Sequence, residues 1–252
     1  MLAVLLSATG RAAAADTVAL ALDYDVRFGP LRLLTMSLAT QATGDRYSAR
    51  MVLETQGLIG RLFPWRAESE TRGRREGGLL RPEHHRADGT YRATRRVVEI
   101  DYAPDGSVRS RVEPPPEHDS RTAVPDALQQ ATIDPITASL RAVAAGCRGT
   151  LPVFDGRRRY DMHLTELGAG EVPSRRGVYR GPARHCRATI EPHAGFWRSA
   201  PQESETPARL DFWIASPAPE LPPAPVYLEL AGARGTLAVV LRQARALDGP
   251  PA

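Results

Sequence analysis

An alternation of apolar and polar residues restricts what this chain can fold into. From Thr17 to Phe28 every second residue is apolar. A period of two places these side chains on one face of a β-strand, because successive residues of a strand point to opposite sides. The chain of 252 residues also contains 22 Pro and 21 Gly, which interrupt helices and favour strands joined by turns. The sequence therefore predicts a mainly β protein.

Nine further segments have the composition of strands. Two of them, Tyr91–Tyr102 and Val108–Val112, form a predicted hairpin around Pro104-Asp105-Gly106. About ten strands in one chain predict a large antiparallel sheet that is strongly curved or closed. The other seven predicted strands are Leu31–Thr40, Tyr47–Thr55, Arg157–Leu167, His185–Ile190, Leu210–Ile214, Val226–Leu230 and Thr236–Arg242.

One segment instead has the period of a helix. Asp134 is a capping residue, and Pro135 suits the first helical turn. Gly146 closes the segment, which predicts one amphipathic helix of about three turns packed on the concave face of the sheet. Its predicted apolar stripe is Ile136, Leu140 and Val143.

Three segments are predicted to connect these elements. Glu113–Pro125, rich in proline and charge, is expected to be an exposed crossing loop. Ser216–Pro225 links two strands, and Asp155-Gly156 forms a hairpin turn.

The basic charge of the chain does not indicate nucleic-acid binding. All 33 basic residues are arginine, and they are interleaved with 29 acidic residues. The densest cluster, from Arg72 to Arg75, follows Glu68 and Glu70, which favours a solvated strand face over a polyanion site.

The first residues resemble a secretory signal. Leu2–Leu6 is an apolar run, and Ala13–Ala15 supplies small side chains before Asp16. We expect residues 1–15 to be a signal peptide that is removed near Asp16, and residues 16–252 to form a single β-rich domain that is exported; the alternative is a buried first strand. No apolar run reaches the ~18 residues of a membrane span, so the expected protein is peripheral to a membrane at most.

Two cysteines, Cys147 and Cys186, are present. In an oxidising compartment they are expected to form one disulfide, which closes a loop of about 40 residues and contributes roughly 3–4 kcal/mol. A reactive thiol pair is disfavoured because the Cys-x-x-Cys spacing is absent.

Several short stretches in this order form a recognisable set: Tyr24–Gly29, Thr55–Phe63 with Ser69, Val97–Tyr102, Asp134–Leu140 and Val153–Asp161. Together they resemble the bacterial envelope family called domain of unknown function 3108. The resemblance implies an exported, half-barrel-like antiparallel sheet, similar to the lipoprotein carriers of the periplasm, and it supplies no established reaction or catalytic residue.

No motif in the sequence establishes an enzyme. Glu83-His84-His85 with Asp88 is the best local metal candidate, but adjacent side chains of an extended segment point to opposite faces, which favours an exposed loop without a metal. We therefore predict no catalytic residue, no metal and no cofactor. Paired carboxylates for glycan hydrolysis stay open as an alternative, with Asp101, Asp155 and Asp161 as the first candidates.

An apolar segment between two predicted strands has two interpretations. The interpretation as a core plug is favoured, and the alternative is a mobile flap at the mouth of a half-barrel that holds an acyl chain or a hydrophobic peptide. Trp197 and Trp213 are candidates to line the same hollow. The segment contributes Leu58, Ile59, Leu62, Phe63 and Trp65.

These observations lead to one functional hypothesis and two rivals. We expect a non-enzymatic periplasmic protein that binds an apolar small molecule, a lipid or a hydrophobic segment of an envelope protein in the concave face of its sheet. The rivals are an envelope glycan hydrolase and a scaffold in an envelope complex, the latter marked by an exposed apolar patch without a pocket.

Overall fold

A computed structural model describes residues 17–91, 94–119, 121–173, 176–198, 209–232 and 235–247. The predicted signal peptide and its cleavage site before Asp16 lie outside these residues.

The described residues form thirteen β-strands, three α-helices and one 3-10 helix. The helices are α1 (Gly57–Leu62), α2 (Asp126–Gln129) and α3 (Pro135–Ala144), and the 3-10 helix covers Pro116–Asp119. The strands are β1 (Thr17–Phe28), β2 (Leu31–Thr43), β3 (Arg46–Thr55), β4 (Arg66–Glu76), β5 (Leu79–Tyr91), β6 (Thr94–Tyr102), β7 (Val108–Glu113), β8 (Gly149–Phe154), β9 (Arg159–Glu171), β10 (Pro182–Ala194), β11 (Arg209–Ala215), β12 (Ala224–Gly232) and β13 (Gly235–Ala246).

All thirteen strands belong to one antiparallel sheet, in the order β7-β6-β5-β4-β3-β2-β1-β13-β12-β11-β10-β9-β8. The predicted fold class is confirmed. The ten predicted strands did not include β4, β5 or β8, although the strand face expected for the cluster from Arg72 to Arg75 is present on β4. In β4, charged residues alternate with small ones, and β5 contains Pro82 and Gly89, so neither has the apolar period of a strand. The stretch with His84 and His85 is therefore part of β5, and its prediction as an exposed loop was wrong.

The sheet bends strongly around α3. Ten strand spacings separate β5 from β8 in the sheet order, which would be about 48 Å in a flat sheet. Nevertheless α3, about 15 Å long, contacts both β5 and β8. The two halves of the sheet must therefore face each other across the helix, as in a half-barrel.

The short segment before α3 contacts both free edges of the sheet. On the β7 edge, the side chain of Gln130 accepts a hydrogen bond from the backbone N–H of Val108, and Ala131 N–H donates to the carbonyl of Gly106. On the β8 edge, Ile133 forms a parallel bridge with Val153. These contacts satisfy edge groups that would otherwise be open to another strand.

The predicted helix is present, but its buried residues differ from the apolar stripe that the sequence predicted. Asp134 is the N-cap and Pro135 begins α3, as predicted. The buried residues of the helix are Ile136, Thr137, Ala138 and Ala142, whereas Leu140 and Val143 are only half-buried. Small side chains face the sheet because the helix lies close to it, with strands on both sides.

Two predictions about connections need correction. Helices α1 and α2 had no signal in the apolar period, because each is shorter than two turns. The Glu113–Pro125 segment is not a fully exposed loop, because it contains the 3-10 helix and buries Arg121 and Val124.

The Asp155-Gly156 turn is confirmed: it joins β8 to β9, and Gly156 has a φ of +87°.

Candidate functional site

A buried polar cluster fixes α3 in the hollow of the sheet. The carboxylate of Asp134 accepts hydrogen bonds from the backbone N–H of Thr137 at 2.9 Å and from its hydroxyl at 2.5 Å. The Nδ1 atom of His85 on β5 lies 3.4 Å from the same carboxylate. From β3, Tyr47 forms a 2.8 Å hydrogen bond with the Thr137 hydroxyl. The helix start is therefore tied to two strands by side chains rather than by apolar packing alone.

The environment of Asp134 favours the ionised form of its carboxyl group. Burial raises the pKa of the Asp134 carboxyl, but the contact with His85 and the two donors of Thr137 outweigh that effect, so the pKa is lowered overall. Burial also raises the pKa of the Tyr47 hydroxyl, which keeps it neutral.

Away from α3, the concave face carries large apolar side chains that remain half-buried. The register of strand pairing places alternate residues of β2 and β3 on the same face as the buried Leu22 and Tyr24 of β1. The β2 and β3 side chains on this face are only half-buried, since no helix or loop of the described residues covers them fully. The group consists of Leu34, Met36 and Leu38 on β2, Met51 and Leu53 on β3, and Leu228 and Leu230 on β12.

A cavity of about 290 Å³ adjoins this face beside the start of α3. Its apolar wall includes Met51, Ala87 and Ile136. The rest of its lining includes Asp155 of the β8–β9 turn and four arginines: Arg96 on β6, and Arg121, Arg157 and Arg158. The cavity therefore combines apolar side chains with strongly polar ones.

The arginines of the cavity are held by specific contacts. Arg157 donates to the backbone carbonyls of Glu113 and Pro114 at the end of β7, which joins the two edges of the sheet. Arg121 lies 4.6 Å above the Trp197 ring, and Arg158 pairs with Asp155 at 2.8 Å. Burial raises the pKa of Asp155, but Arg158 and the N–H groups of the turn lower it overall.

A second cavity, of about 770 Å³, lies at the other end of α3. It is bordered by Arg74, Glu83 and Arg141 and by the Pro104–Gly106 hairpin. Arg141 donates to the carbonyl of Leu80, so the helix is also anchored at this end. Unlike the first cavity, it is lined by none of the half-buried apolar side chains of β2, β3 and β12, which makes it a poorer candidate for a ligand of that apolar face.

The apolar segment predicted as a core plug is exposed, so that prediction was wrong. Leu58 is 71% exposed, Leu62 64% and Phe63 71%, on α1 and directly after it. Ile59 and Trp65 are half-buried, and the indole N–H of Trp65 donates to the carbonyl of Thr90. The segment connects β3 to β4 at the end of this hairpin, and none of the residues of α1 is fully buried.

A neighbouring hairpin adds to this exposed apolar group. Residue Leu34, near the start of β2, pairs with Thr55 at the end of β3, so the β1–β2 turn and α1 lie at the same end of the sheet. At that turn Phe28 is 44% exposed and Leu31 52%. We call Phe28, Leu31, Leu58, Leu62 and Phe63 the apolar rim. The β8–β9 turn, with its cavity arginines, lies at this end too, since β8 also terminates there.

The two other tryptophans do not join the apolar segment. Trp213 alternates along β11 with Phe212 and Ile214, which pack in the cluster around α3, so Trp213 lies on the opposite face of the sheet. It stacks on His185 with ring centroids 4.2 Å apart. Trp197 contacts Arg121 instead. Neither residue shares a hollow with Leu58.

The predicted disulfide is present. Cys147, just after α3, is bonded to Cys186 on β10, with the Cα atoms 5.8 Å apart. Both cysteines are fully buried in the cluster formed by α3 and strands β8 to β11. The bond therefore holds the end of the helix against the sheet.

The carboxylates considered for hydrolysis have separate partners. Asp101 on β6 bonds His84 at 2.7 Å, Asp155 bonds Arg158, and Asp161 on β9 bonds Arg159 at 2.7 Å. His84 and His85 lie on opposite faces of β5, as expected from their adjacency, with only His85 buried.

The family model described as a protein of unknown function (DUF3108) matches residues 23–231. The chain belongs to this family. The predicted resemblance to the domain of unknown function 3108 is thus confirmed. No curated protein matches the DUF3108 chain significantly.

A solved structure supports the fold of this DUF3108 protein. The chain is similar to the beta-barrel-like protein of domain of unknown function DUF1849 from Brucella abortus, with a TM-score of 0.53 at 11% sequence identity. The similarity covers 92% of this chain and 99% of the other. At this identity it concerns the fold alone. Among the described residues, no helix is both long and apolar enough to cross a bilayer.

Proposed function

We propose that this DUF3108 protein is a non-enzymatic periplasmic protein that binds a lipid-like ligand in the concave face of its sheet. The observation that carries the proposal is the row of half-buried apolar side chains on β2, β3 and β12. Folded proteins rarely leave contiguous large apolar surface partly open unless it is a binding site. A curved sheet of this kind can enclose an acyl chain between its two halves.

The chemistry of the cavity suggests which lipids fit. An acyl chain would contact Met51, Ala87 and Ile136, and a headgroup would meet the arginines that line the same cavity. Arginine binds carboxylate and phosphate groups in a fixed, two-pronged geometry. An amphipathic ligand with an acidic headgroup matches both the apolar and the basic side chains of the cavity.

The apolar rim supplies a route between this site and a membrane. Leu58, Leu62 and Phe63 project at the end of the β3–β4 hairpin, beside the exposed Arg61. Apolar side chains insert at the acyl boundary of a bilayer, and an adjacent arginine pairs with anionic headgroups. In this proposal the protein touches the membrane with the rim and stays peripheral to it.

A ligand-binding assay with a matched pair of variants tests the concave site. Leu53 and Val52 are adjacent on β3 and lie on opposite faces of the sheet, and both are half-buried. With dansylaminoundecanoic acid as a fluorescent fatty-acid probe, we expect Leu53→Glu to weaken binding about tenfold, roughly 1.4 kcal/mol, and Val52→Glu to change it little. Equal effects of the two substitutions, or no binding by the unchanged protein, would reject the concave site.

Vesicle flotation tests the rim separately. Leu62→Asp combined with Phe63→Asp is expected to abolish binding to vesicles of phosphatidylglycerol and phosphatidylethanolamine. Leu79→Asp is the control, because Leu79 is also exposed, at 53%, in a hairpin at the other end of the sheet. If the control loses as much binding as the rim variant, the rim is not the contact.

Export is tested by the N-terminus of the protein recovered from cells. We expect periplasmic protein whose intact mass corresponds to cleavage near Asp16. Recovery only from the cytoplasm, with residues 1–15 retained, would contradict the periplasmic assignment.

A further inference from the structure

Two histidines and two carboxylates that are distant in sequence lie together on the outer face of the sheet. Asp161 and His163 belong to β9, and Glu191 and His193 to β10. The intervening Met162 is buried in the cluster around α3, so Asp161 and His163 point away from the concave face. Register pairs Asp161 directly with Glu191. No local sequence motif could reveal this group, because it depends on how the two strands pair.

The group is compact enough to surround an ion. The Nε2 atom of His193 lies 3.0 Å from Oδ2 of Asp161. One ligand atom from each of Asp161, Glu191 and His193 lies within 4.8 Å of the other two. Three atoms within 4.8 Å of one another all lie within about 2.8 Å of a common point, and the bond lengths of Zn²⁺ to imidazole and carboxylate are about 2.0–2.2 Å. Side-chain rotations that move each atom by less than about 1 Å would complete the contacts.

We propose that Asp161, Glu191 and His193 form a binding site for a divalent transition-metal ion of the Zn²⁺ type. One imidazole and two carboxylates are a donor set that favours such ions over Mg²⁺, which prefers oxygen ligands. In the metal-free protein, Nε2 of His193 donates its proton to the Asp161 carboxylate, which can only accept. When the ion binds, Nε2 becomes its ligand, and the neutral ring carries its proton on Nδ1. The remaining coordination positions face solvent and take water.

Neighbouring side chains orient two of the three ligands. His163 Nε2 lies 2.8 Å from Oε2 of Glu191, and since a carboxylate only accepts, this nitrogen donates. The other nitrogen of the His163 ring, Nδ1, is 2.9 Å from the hydroxyl of Thr150, which fixes the ring. Arg159 holds Oδ1 of Asp161 and leaves Oδ2 directed at His193. Metal ligands in proteins are commonly held by such partners.

An ion would also relieve an electrostatic cost. Carboxylates directly opposite each other on antiparallel strands repel, which destabilises the pair. Asp161 is contacted by Arg159 and His193, whereas among the described residues the hydrogen bond of Glu191 is with His163 alone. A divalent cation between the two carboxylates would neutralise both.

Isothermal titration of the metal-free, untagged protein with ZnCl₂ tests the site. We expect one ion per chain with a dissociation constant in the micromolar range, and no comparable heat with MgCl₂. His193→Ala should abolish stoichiometric binding. His163→Ala should weaken it about tenfold, because His163 positions Glu191 without being a ligand.

His84→Ala is the matched control. His84 also bonds a carboxylate from the neighbouring strand, at 2.7 Å from Asp101, but has no third ligand within reach in the part of the chain that the structure describes. This substitution should leave Zn²⁺ affinity unchanged. Circular dichroism verifies that each variant is folded. Absence of stoichiometric Zn²⁺ binding, or equal losses in His84→Ala and His193→Ala, would overturn the proposal, and neither result bears on the lipid site.

Discussion

Removal of the disulfide should destabilise the protein strongly, because the bond closes a long loop between the helix and the sheet. The perturbation is the double substitution Cys147→Ala with Cys186→Ala. The two residues are 39 positions apart, and both are fully buried where α3 ends against β10. Alanine fits both positions without placing an unpaired polar group in the core, so the chief loss is the cross-link.

The expected magnitude follows from the loop length. Closing a loop of about 40 residues lowers the conformational entropy of the unfolded chain by about 13 cal/mol/K, which stabilises the folded state by about 4 kcal/mol at 25 °C. Domains have only about 5–15 kcal/mol of unfolding free energy, so this loss is a large share. For a chain of this size the melting temperature should fall by roughly 8–16 °C.

Urea denaturation followed by circular dichroism and tryptophan fluorescence measures the loss. Intact-mass measurement after thiol alkylation first establishes that the unreduced protein has no free thiol. The wild-type protein in reducing agent is the control and should match the double variant. A decrease in unfolding free energy below about 1 kcal/mol, or a reduced wild type as stable as the oxidised protein, would refute the loop-entropy reasoning.

Three other perturbations have defined outcomes. Asp134→Ala should lower the unfolding free energy, measured by urea denaturation, by about 3–5 kcal/mol, because it leaves buried donors without their acceptor. A loss below about 1 kcal/mol would show that the Asp134 carboxylate does not hold the helix start. The carboxyl pKa values of Asp134 and Asp155 are lowered in the folded protein, so their contribution to stability is lost as these groups are protonated at low pH. We therefore expect the melting temperature to be constant between about pH 7 and pH 5 and to fall below about pH 4. A higher melting temperature at pH 3 than at pH 7 would contradict this prediction. Gly156→Ala should lower the melting temperature more than Gly29→Ala, because both glycines have positive φ but only at Gly156 would a new Cβ collide with Val98.

The sequence predicted the regular parts of this fold well. The bounds of β1 were predicted to the residue from their period of two, and the cap at Asp134 located the start of α3. Both signals are local: strand alternation and capping depend on residues within a few positions of each other. The predicted strands left out β5, β8 and most of β4, where only the cluster from Arg72 to Arg75 was expected on a strand face. In β4 and β5, charged and small residues are tolerated in a strand because neighbouring strands supply the hydrogen bonds and packing.

The candidate sites depended much more on the tertiary structure. The composition of Leu58–Trp65 identified an apolar segment, but whether it is buried depends on what packs against it, and the structure leaves it at a hairpin end. The group formed by Asp161, Glu191 and His193 arises from cross-strand register. Register between β9 and β10 is decided jointly by both strands and their turn, so neither strand's sequence contains it alone.

The sequence by itself determined that the chain forms an antiparallel sheet with a capped helix and one disulfide, because those features follow from short-range periodicity and from residue chemistry. Only the tertiary structure decided that the sheet curls around α3, which face of each strand lines the hollow, and which apolar residues stay exposed. Curvature and exposure are properties of many contacts between distant residues, and their free energies are shared among all thirteen strands of the sheet.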